Sequence, residues 1–272
     1  MEKIKDALEK AKEFARPLAI SKSSKNNSSP AIDKEVLLQS LSYTESAVVD
    51  LDPVHLEKNR IVAYNKNDPI NTVFDLLRTQ VLQKMEENNW RTIGIVSPTP
   101  EAGKTMVAIN LSMSIAHQPQ KTVVLVDFDL RKPKVAKQLG IQVEKSMNEL
   151  LGDKADISQV MVNPGIPRLT ILPTMYPVYK SAETLSSAKV VRLIKELKER
   201  YDSRVVVFDM PPLLNADDAM VLLPQVDCVL MVVGNGMSTA DEIEECMRLL
   251  PNSNLVGVVL NKAEVEPAAY YY

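Results

Sequence analysis

The sequence predicts an α/β fold, a parallel sheet flanked by helices, and three observations point to it. Six apolar, often β-branched runs recur between residues 93 and 260. Segments of helical period separate them. The runs are near-continuous in apolar residues, as in strands buried on both faces. Ligands of such sheets bind beyond the carboxyl ends of the strands, so the residues after each run carry the information about function.

A chain of 272 residues can hold one α/β domain of about 200 residues plus flanking segments. Its formal net charge of −3 argues against a polyanion-binding role, nucleic acid included. Cys228 sits in an apolar run and Cys246 in a helical segment. That usage suits a reducing compartment and no disulfide framework. No apolar stretch approaches the roughly 18 residues that cross a bilayer. Met1-Glu2-Lys3-Ile4-Lys5 lacks the apolar core of an export signal. The expectation is a soluble, cytoplasmic protein.

Residues 1–59 read as an N-terminal extension. Ile4, Leu8, Ala11, Phe14 and Ala15 fall at helical spacing, with Lys3, Lys5, Glu9, Lys10 and Lys12 on the other face. Two readings of this amphipathic helix stay open: an exposed helix, or one that docks on a partner or an anionic membrane surface. Pro17 ends it, and the Ser/Asn/Lys run at 21–30 has the composition of a flexible linker. The pattern around Val36-Leu37-Leu38 and Val48-Val49 is too weak to assign.

Residues 60–264 have the composition of a folded domain. A helix starts at Asp68-Pro69 and carries Val73, Leu76, Leu77, Val81 and Leu82. Strands are expected at 93–96, 123–126, 169–172, 205–208, 228–233 and 256–260. Helices are expected at 105–117, 132–139, 189–200, 216–223 and 241–250. Residues 265–272 form a tail ending in three tyrosines.

Four strand ends carry candidate chemistry. Ser97-Pro98-Thr99-Pro100-Glu101-Ala102-Gly103-Lys104-Thr105 joins the first strand to a helix, the setting in which a loop cradles nucleotide phosphates. Gly103 allows close backbone approach, Lys104 supplies a point charge, and Thr105 offers a hydroxyl to magnesium. Pro98 stands where the standard pattern has its first glycine. Asp127-Phe128-Asp129-Leu130-Arg131-Lys132-Pro133 and Asp209-Met210-Pro211-Pro212 put carboxylates at two further strand ends, where a magnesium nucleotide needs them. Asn261 ends the last strand and has the paired donor and acceptor that read a purine edge. Asp217 and Asp218 read as first-turn acids of a helix before they read as site residues. His55 and His117 lack zinc-ligand spacing.

Together these segments resemble the bacterial tyrosine kinases of exopolysaccharide synthesis, P-loop proteins related to the division-site and plasmid-partition ATPases. The resemblance covers about residues 60–262. The Asp-x-Asp-Leu-Arg-x-Pro form and Pro100 match the kinase branch. Thr99 stands where partition-type ATPases have their signature lysine. The resemblance implies a P-loop NTPase-type sheet, ATP and Mg2+ as cofactors, and autokinase activity on tyrosine. It places Ala102, Gly103, Lys104, Thr105, Met106, Arg131 and Asn261 on the nucleotide. Lys104, Asp127, Asp129 and Asp209 become the catalytic set, Thr105, Asp127 and Asp209 the metal set, and Tyr270, Tyr271 and Tyr272 the phosphoacceptors. It also implies a homo-oligomer recruited to the inner face of the membrane by a membrane-anchored polysaccharide co-polymerase or chain-length protein.

Three departures stand out. Family kinases often have glycine at the position of Glu101. The family's Glu-x-x-Arg-x-x-Arg assembly motif falls on Thr72, Asp75 and Arg78, where only the last residue is kept. The Asn-Pro and Glu-Leu-Leu features appear as Lys180-Ser181 and Glu183-Thr184-Leu185. The alternative reading is a partition-type nucleotide-switch ATPase that positions a complex without modifying tyrosine.

Overall fold

The computed structural model describes residues 47–215, 217–250 and 253–263. The expected helix at 3–15, the linker at 21–30 and Tyr270, Tyr271 and Tyr272 lie outside the described residues.

A two-residue strand β1 (Ala47–Val48), helix α1 (Pro53–Lys58) and helix α2 (Asn71–Glu87) precede β2 (Thr92–Val96). Helix α3 (Lys104–Ala116) leads into β3 (Thr122–Asp127). Short helices α4 (Val135–Leu139), α5 (Met147–Leu151) and α6 (Ile157–Val160) follow, then β4 (Val162–Asn163) and β5 (Leu169–Leu172). Helices α7 (Ser181–Leu185) and α8 (Ala188–Glu199) lead to β6 (Arg204–Asp209). Helix α9 (Asp218–Leu222), β7 (Cys228–Gly234), α10 (Ala240–Leu249) and β8 (Leu255–Asn261) complete the described chain.

The strands form one sheet in the order β1-β4-β5-β3-β6-β2-β7-β8. Only the β4–β5 pair is antiparallel; the others are parallel. All six expected strands are present. β1 and β4, two residues each, are too short to leave a pattern in the sequence. The order sets β6 between β2 and β3. It brings Asp127 directly opposite Asp209 in the β3–β6 register.

Side chains alternate across the sheet and build two cores. Ile93, Ile95, Val123 and Leu125 pack with Val81 of α2 and Val107 and Leu111 of α3. Val124, Val126, Val206 and Phe208 pack with Leu193 and Ile194 of α8 and Ile243 of α10. Local signals set several helix starts: Ser146 with Glu149, and Thr239 with Glu242, form capping boxes.

Two elements depart from the expected pattern. Val73 and Leu76 of α2 are 61% and 62% exposed, whereas Phe74, Val81, Leu82 and Met85 are buried. At 3.6 residues per turn, positions 74, 77, 81, 82 and 85 share an arc of about 140°, and 73 and 76 fall outside it. The helix expected at 132–139 begins only at Val135. Pro133 intervenes, and the chain first folds back so that the amides of Lys134 and Val135 donate to Asp127 Oδ2 at 3.0 and 2.9 Å.

Asp227 secures the amino-terminal ends of the central strands. Its carboxylate accepts from the amides of Arg91 (2.8 Å) and Thr92 (3.0 Å) and from Lys198 Nζ (2.5 Å). Burial alone would raise its pKa, but Lys198 and the two amides hold it below the ordinary carboxylate value. The stabilisation is therefore complete above the unfolded value, near pH 4, and is lost as the pH falls through the folded one. Asp227→Ala should cost about 2 kcal/mol at pH 7. Urea denaturation will read this as a lower midpoint at unchanged slope, and the difference from wild type should shrink below about pH 4.

Candidate active site

The loop after β2 is shaped by contacts from distant segments. The amides of Leu213 and Leu214 donate to the carbonyls of Ser97 (2.9 Å) and Pro98 (3.1 Å). Ser97 Oγ donates to Thr99 O at 2.8 Å. Gly103 caps α3 with φ 95°, and a Cβ there would lie 2.1 Å from Asn261 Nδ2. Asn261 Nδ2 in turn donates to Ala102 O at 2.8 Å, tying the end of β8 to the loop. Glu101 has φ 66°, a left-handed conformation that glycine takes at little cost. This accounts for the glycine often found at that position in the kinases the sequence resembles. The Glu101 side chain is 71% exposed and lies 4.0 Å from Lys134 Nζ.

Beneath the loop lies a buried charge cluster. Lys104 Nζ is 2.7 Å from Asp129 Oδ2 and 3.5 Å from Asp209 Oδ1. Thr105 Oγ1 donates to Asp209 Oδ2 at 2.7 Å. Burial disfavours the Lys104 ammonium, but Asp209 and Asp129 more than offset it, and its pKa is raised. Burial, then the charge of Asp209, pushes Asp127 well above the carboxylate range. Burial also raises Asp209, against the opposing pull of Lys104 and Thr105. The Phe128 and Phe208 rings stack with centroids 5.2 Å apart within the second core.

A cleft of about 490 Å³ opens above the cluster. Gly103, Lys104, Thr105, Asp129 and Arg131 line it, with Lys132, Lys134 and Lys262 adding cations. Ala102 is fully buried behind the loop, and Met106 packs against the core; neither side chain lines the cleft. Asp127 is fully buried too. One of its oxygens caps the turn into α4, and the other, Oδ1, is buried with no hydrogen-bond partner.

The sequence reading missed the anchoring of Arg131. Its Nε donates to Asp218 Oδ2 (2.7 Å) and Ser181 Oγ (3.0 Å), and Nη2 to Asp217 Oδ1 (3.2 Å). Asp218 does open a helix, α9, as its position suggested, but its carboxylate is wholly buried on Arg131. No local signal links residues 87 positions apart. Ser181 occupies one of the positions where a family feature is lost, so nothing in the sequence marked it. Two of the three assembly-motif positions, Asp75 and Arg78, are engaged within the chain. Arg78 Nη1 binds Asp75 Oδ1 at 2.8 Å, and Ser114 Oγ donates to Asp75 Oδ1 at 2.6 Å, joining α2 to α3. The rings of His55 and His117 meet the carbonyls of Lys137 (2.9 Å) and Ala63 (2.8 Å).

Among the described residues, no three His, Cys, Asp or Glu side chains are set to hold a metal by themselves. The residues nevertheless fit a divalent cation brought in with phosphate oxygens. Three acids face one ammonium, and Asp127 Oδ1 has no partner.

Comparison with known proteins bears on the family and the fold. The family described as "AAA domain" matches residues 90–251. EpsB of Ralstonia nicotianae is 31% identical over 208 residues, covering 76% of this chain and 27% of that protein. The tyrosine-protein kinase YwqD of Bacillus subtilis is 26% identical over 226 residues, covering 79% of this chain and 94% of YwqD. This chain spans between a quarter and a third of the length of the first relatives it matches. Among solved structures, the kinase domain of the Escherichia coli tyrosine kinase Etk superposes with a TM-score of 0.69 at 24% identity, covering 83% of this chain and 92% of that domain. The septum site-determining protein MinD of Pyrococcus horikoshii, complexed with Mg-ADP, gives 0.53 at 24% identity, covering 62% and 69%. Both likenesses establish the P-loop NTPase-type fold.

Gly103→Ala should destabilise the chain by about 1–3 kcal/mol, because alanine is strained at positive φ and its Cβ meets the Asn261 amide. In a double-mutant cycle with Asn261→Gly the two costs should fall short of additivity, since the clash needs both partners. Calorimetric melting of the four chains checks this.

Proposed function

This chain belongs to the AAA domain family, and from that premise we propose that it is an ATP-dependent protein-tyrosine autokinase acting in exopolysaccharide polymerisation or export. The observation that carries the reading is the Lys104 ammonium at the head of the phosphate loop, 2.7 Å from Asp129 and 3.5 Å from Asp209. The named tyrosine kinases among its relatives support it, YwqD most directly because nearly all of its length is matched.

In this reading the Gly103–Thr105 backbone and Lys104 hold the outer phosphates. Thr105 and Asp209, already hydrogen-bonded to each other, would hold Mg2+. The ion would neutralise charge on the phosphates. Asp129 lines the cleft and would orient or deprotonate an incoming phenol. Asp127 sits behind it, where burial and the charge of Asp209 disfavour its anion until a cation enters. Arg131, held by Asp218 and Ser181, presents its guanidinium at the rim. Asn261 contributes by fixing the loop through Ala102. Transfer then rests on placement and electrostatics. Tyr270, Tyr271 and Tyr272 are the acceptors we propose, presented between copies of the chain.

A partition-type switch ATPase fits less well. The Etk kinase domain covers more of this chain than MinD does, and Thr99 replaces the lysine that marks the partition type.

Lys104→Ala should abolish phosphotyrosine when the chain is made in a host without other tyrosine kinases; undiminished anti-phosphotyrosine signal would refute the kinase reading. The substitution also strips the cation from two buried carboxylates, at a cost of about 3 kcal/mol at pH 7. Without the ammonium the Asp209 carboxyl, already raised by burial, loses the charge that opposes that rise, so it destabilises the fold as the pH increases. The stability deficit should accordingly shrink in acid. Circular dichroism will confirm that the variant is folded in the assay.

The partner we propose is a membrane-anchored polysaccharide co-polymerase, engaged partly through residues 1–15. Removing those residues should weaken co-purification with it and leave ATP affinity unchanged, as measured by calorimetric titration.

A further inference from the structure

We infer that Tyr179 is a phosphoacceptor of this kinase in addition to the terminal tyrosines. The inference rests on the autokinase reading and adds a site within the folded domain. Tyr179 lies in the segment between β5 and α7, beyond a carboxyl end of the sheet and so on the side of the nucleotide cleft. It is 90% exposed, more than any other large apolar or aromatic side chain among the described residues.

The exposure does not come from a loose segment. On one side the Val178 amide donates to Leu130 O at 2.8 Å, pinning the chain to the segment that carries Asp129 and Arg131. On the other, Ser181 Oγ donates to Asp218 at 2.9 Å and accepts from Arg131 Nε at 3.0 Å. Between these two tethers Lys180 takes φ 59°, a left-handed turn that throws Tyr179 out at the crown. With nine-tenths of the residue exposed, the aromatic ring adds little to the core.

Other tyrosines are engaged. The Tyr64 hydroxyl donates to Glu57 at 3.1 Å, and Arg204 lies over the Tyr201 ring. Among the described residues no hydrogen bond engages the Tyr179 hydroxyl. Tyr176 is 66% exposed, but its own amide and carbonyl are both bound by the Asn148 side chain, at 3.1 and 2.8 Å. A phosphoacceptor must leave its surface and enter a catalytic cleft, and among the described tyrosines Tyr179 has the fewest contacts to give up.

The chemistry is that of the tail tyrosines. The bond from the γ-phosphorus to its bridging oxygen breaks, and ADP leaves with the electron pair. The phenolic oxygen bonds to phosphorus, and its proton passes to a cleft carboxylate and then to water.

The test is phosphosite mapping of the full chain after dephosphorylation and incubation with ATP and Mg2+. Trypsin releases residues 169–180 as one peptide containing Tyr176 and Tyr179, and Pro177-Val178 separates them in fragment spectra. Phosphate on Tyr179, absent without ATP, is the expected result. Phosphotyrosine confined to the tail, or within this peptide to Tyr176, overturns the inference and leaves the kinase reading standing. Phosphotyrosine nowhere in the chain overturns both.

Discussion

One buried ammonium among three buried carboxylates is the constraint around which this structure is arranged. Burying an unpaired carboxylate costs several kcal/mol. The strand order β3-β6-β2 nevertheless sets Asp127 opposite Asp209 and brings Lys104 up from the neighbouring loop to meet Asp209 and Asp129. A fold selected for stability alone would place apolar side chains there, as it does one residue away with Phe128 and Phe208. The raised pKa values of Asp127 and Asp209 are the physical sign of that cost. Such strain persists where the surrounding structure over-determines it, and here two packed cores, one on each face of the sheet, do so.

The same constraint explains why distant residues are spent on positioning. A phosphate loop has few side chains of its own to define its shape, so its carbonyls are held from outside. Leu213 and Leu214, just past the Asp209 strand, take the carbonyls of Ser97 and Pro98, and Asn261 at the end of β8 takes that of Ala102. The loop is thereby referenced to β6 and β8 as well as to β2. Arg131 is treated alike. A free arginine carries about 2 kcal/mol of rotamer entropy, and the buried Asp218 with Ser181 removes much of that freedom before any substrate arrives.

What the sequence discloses and what it hides divide along one line. Groups whose place is written in the preceding strand are legible: Lys104 and Thr105 after β2, Asp127 and Asp129 at β3, Asp209 at β6. Each follows an apolar run, and a parallel sheet delivers run ends to one edge. Contacts between segments far apart in the chain are not legible. Arg131 reads as a nucleotide residue because its motif places it there, whereas its first partner, Asp218, is fixed only by how α9 packs against α7. Asn261 reads as a base reader from its amide, yet that amide is committed to Ala102. The two-residue strands β1 and β4 leave no periodicity to find, and the exposed Val73 and Leu76 show that apolar residues on a helix do not all share one face. The positive φ of Glu101 has no composition signal beyond the glycine that related sequences often place there.

The distribution of charge across the cleft bears on how the site works. Asp127, Asp129 and Asp209 lie at its base, fully or nearly buried; Lys132, Lys134 and Lys262 line it and outnumber the exposed Glu101, with Arg131 half-exposed beside them. A polyanionic ligand entering such a cleft meets cations first, which suits attraction and orientation. Its far end then meets a base that repels it. The repulsion is relieved only if the ligand arrives with a divalent cation, to which the acids and the partnerless oxygen of Asp127 become attractive. On the proposed reading, free and metal-bound nucleotide would be told apart by the sign of the field at the bottom of the cleft. Lys104 sets that field, because one ammonium does not neutralise all the acids around it. A second buried cation would stabilise the fold and at the same time remove the reason for a metal to enter.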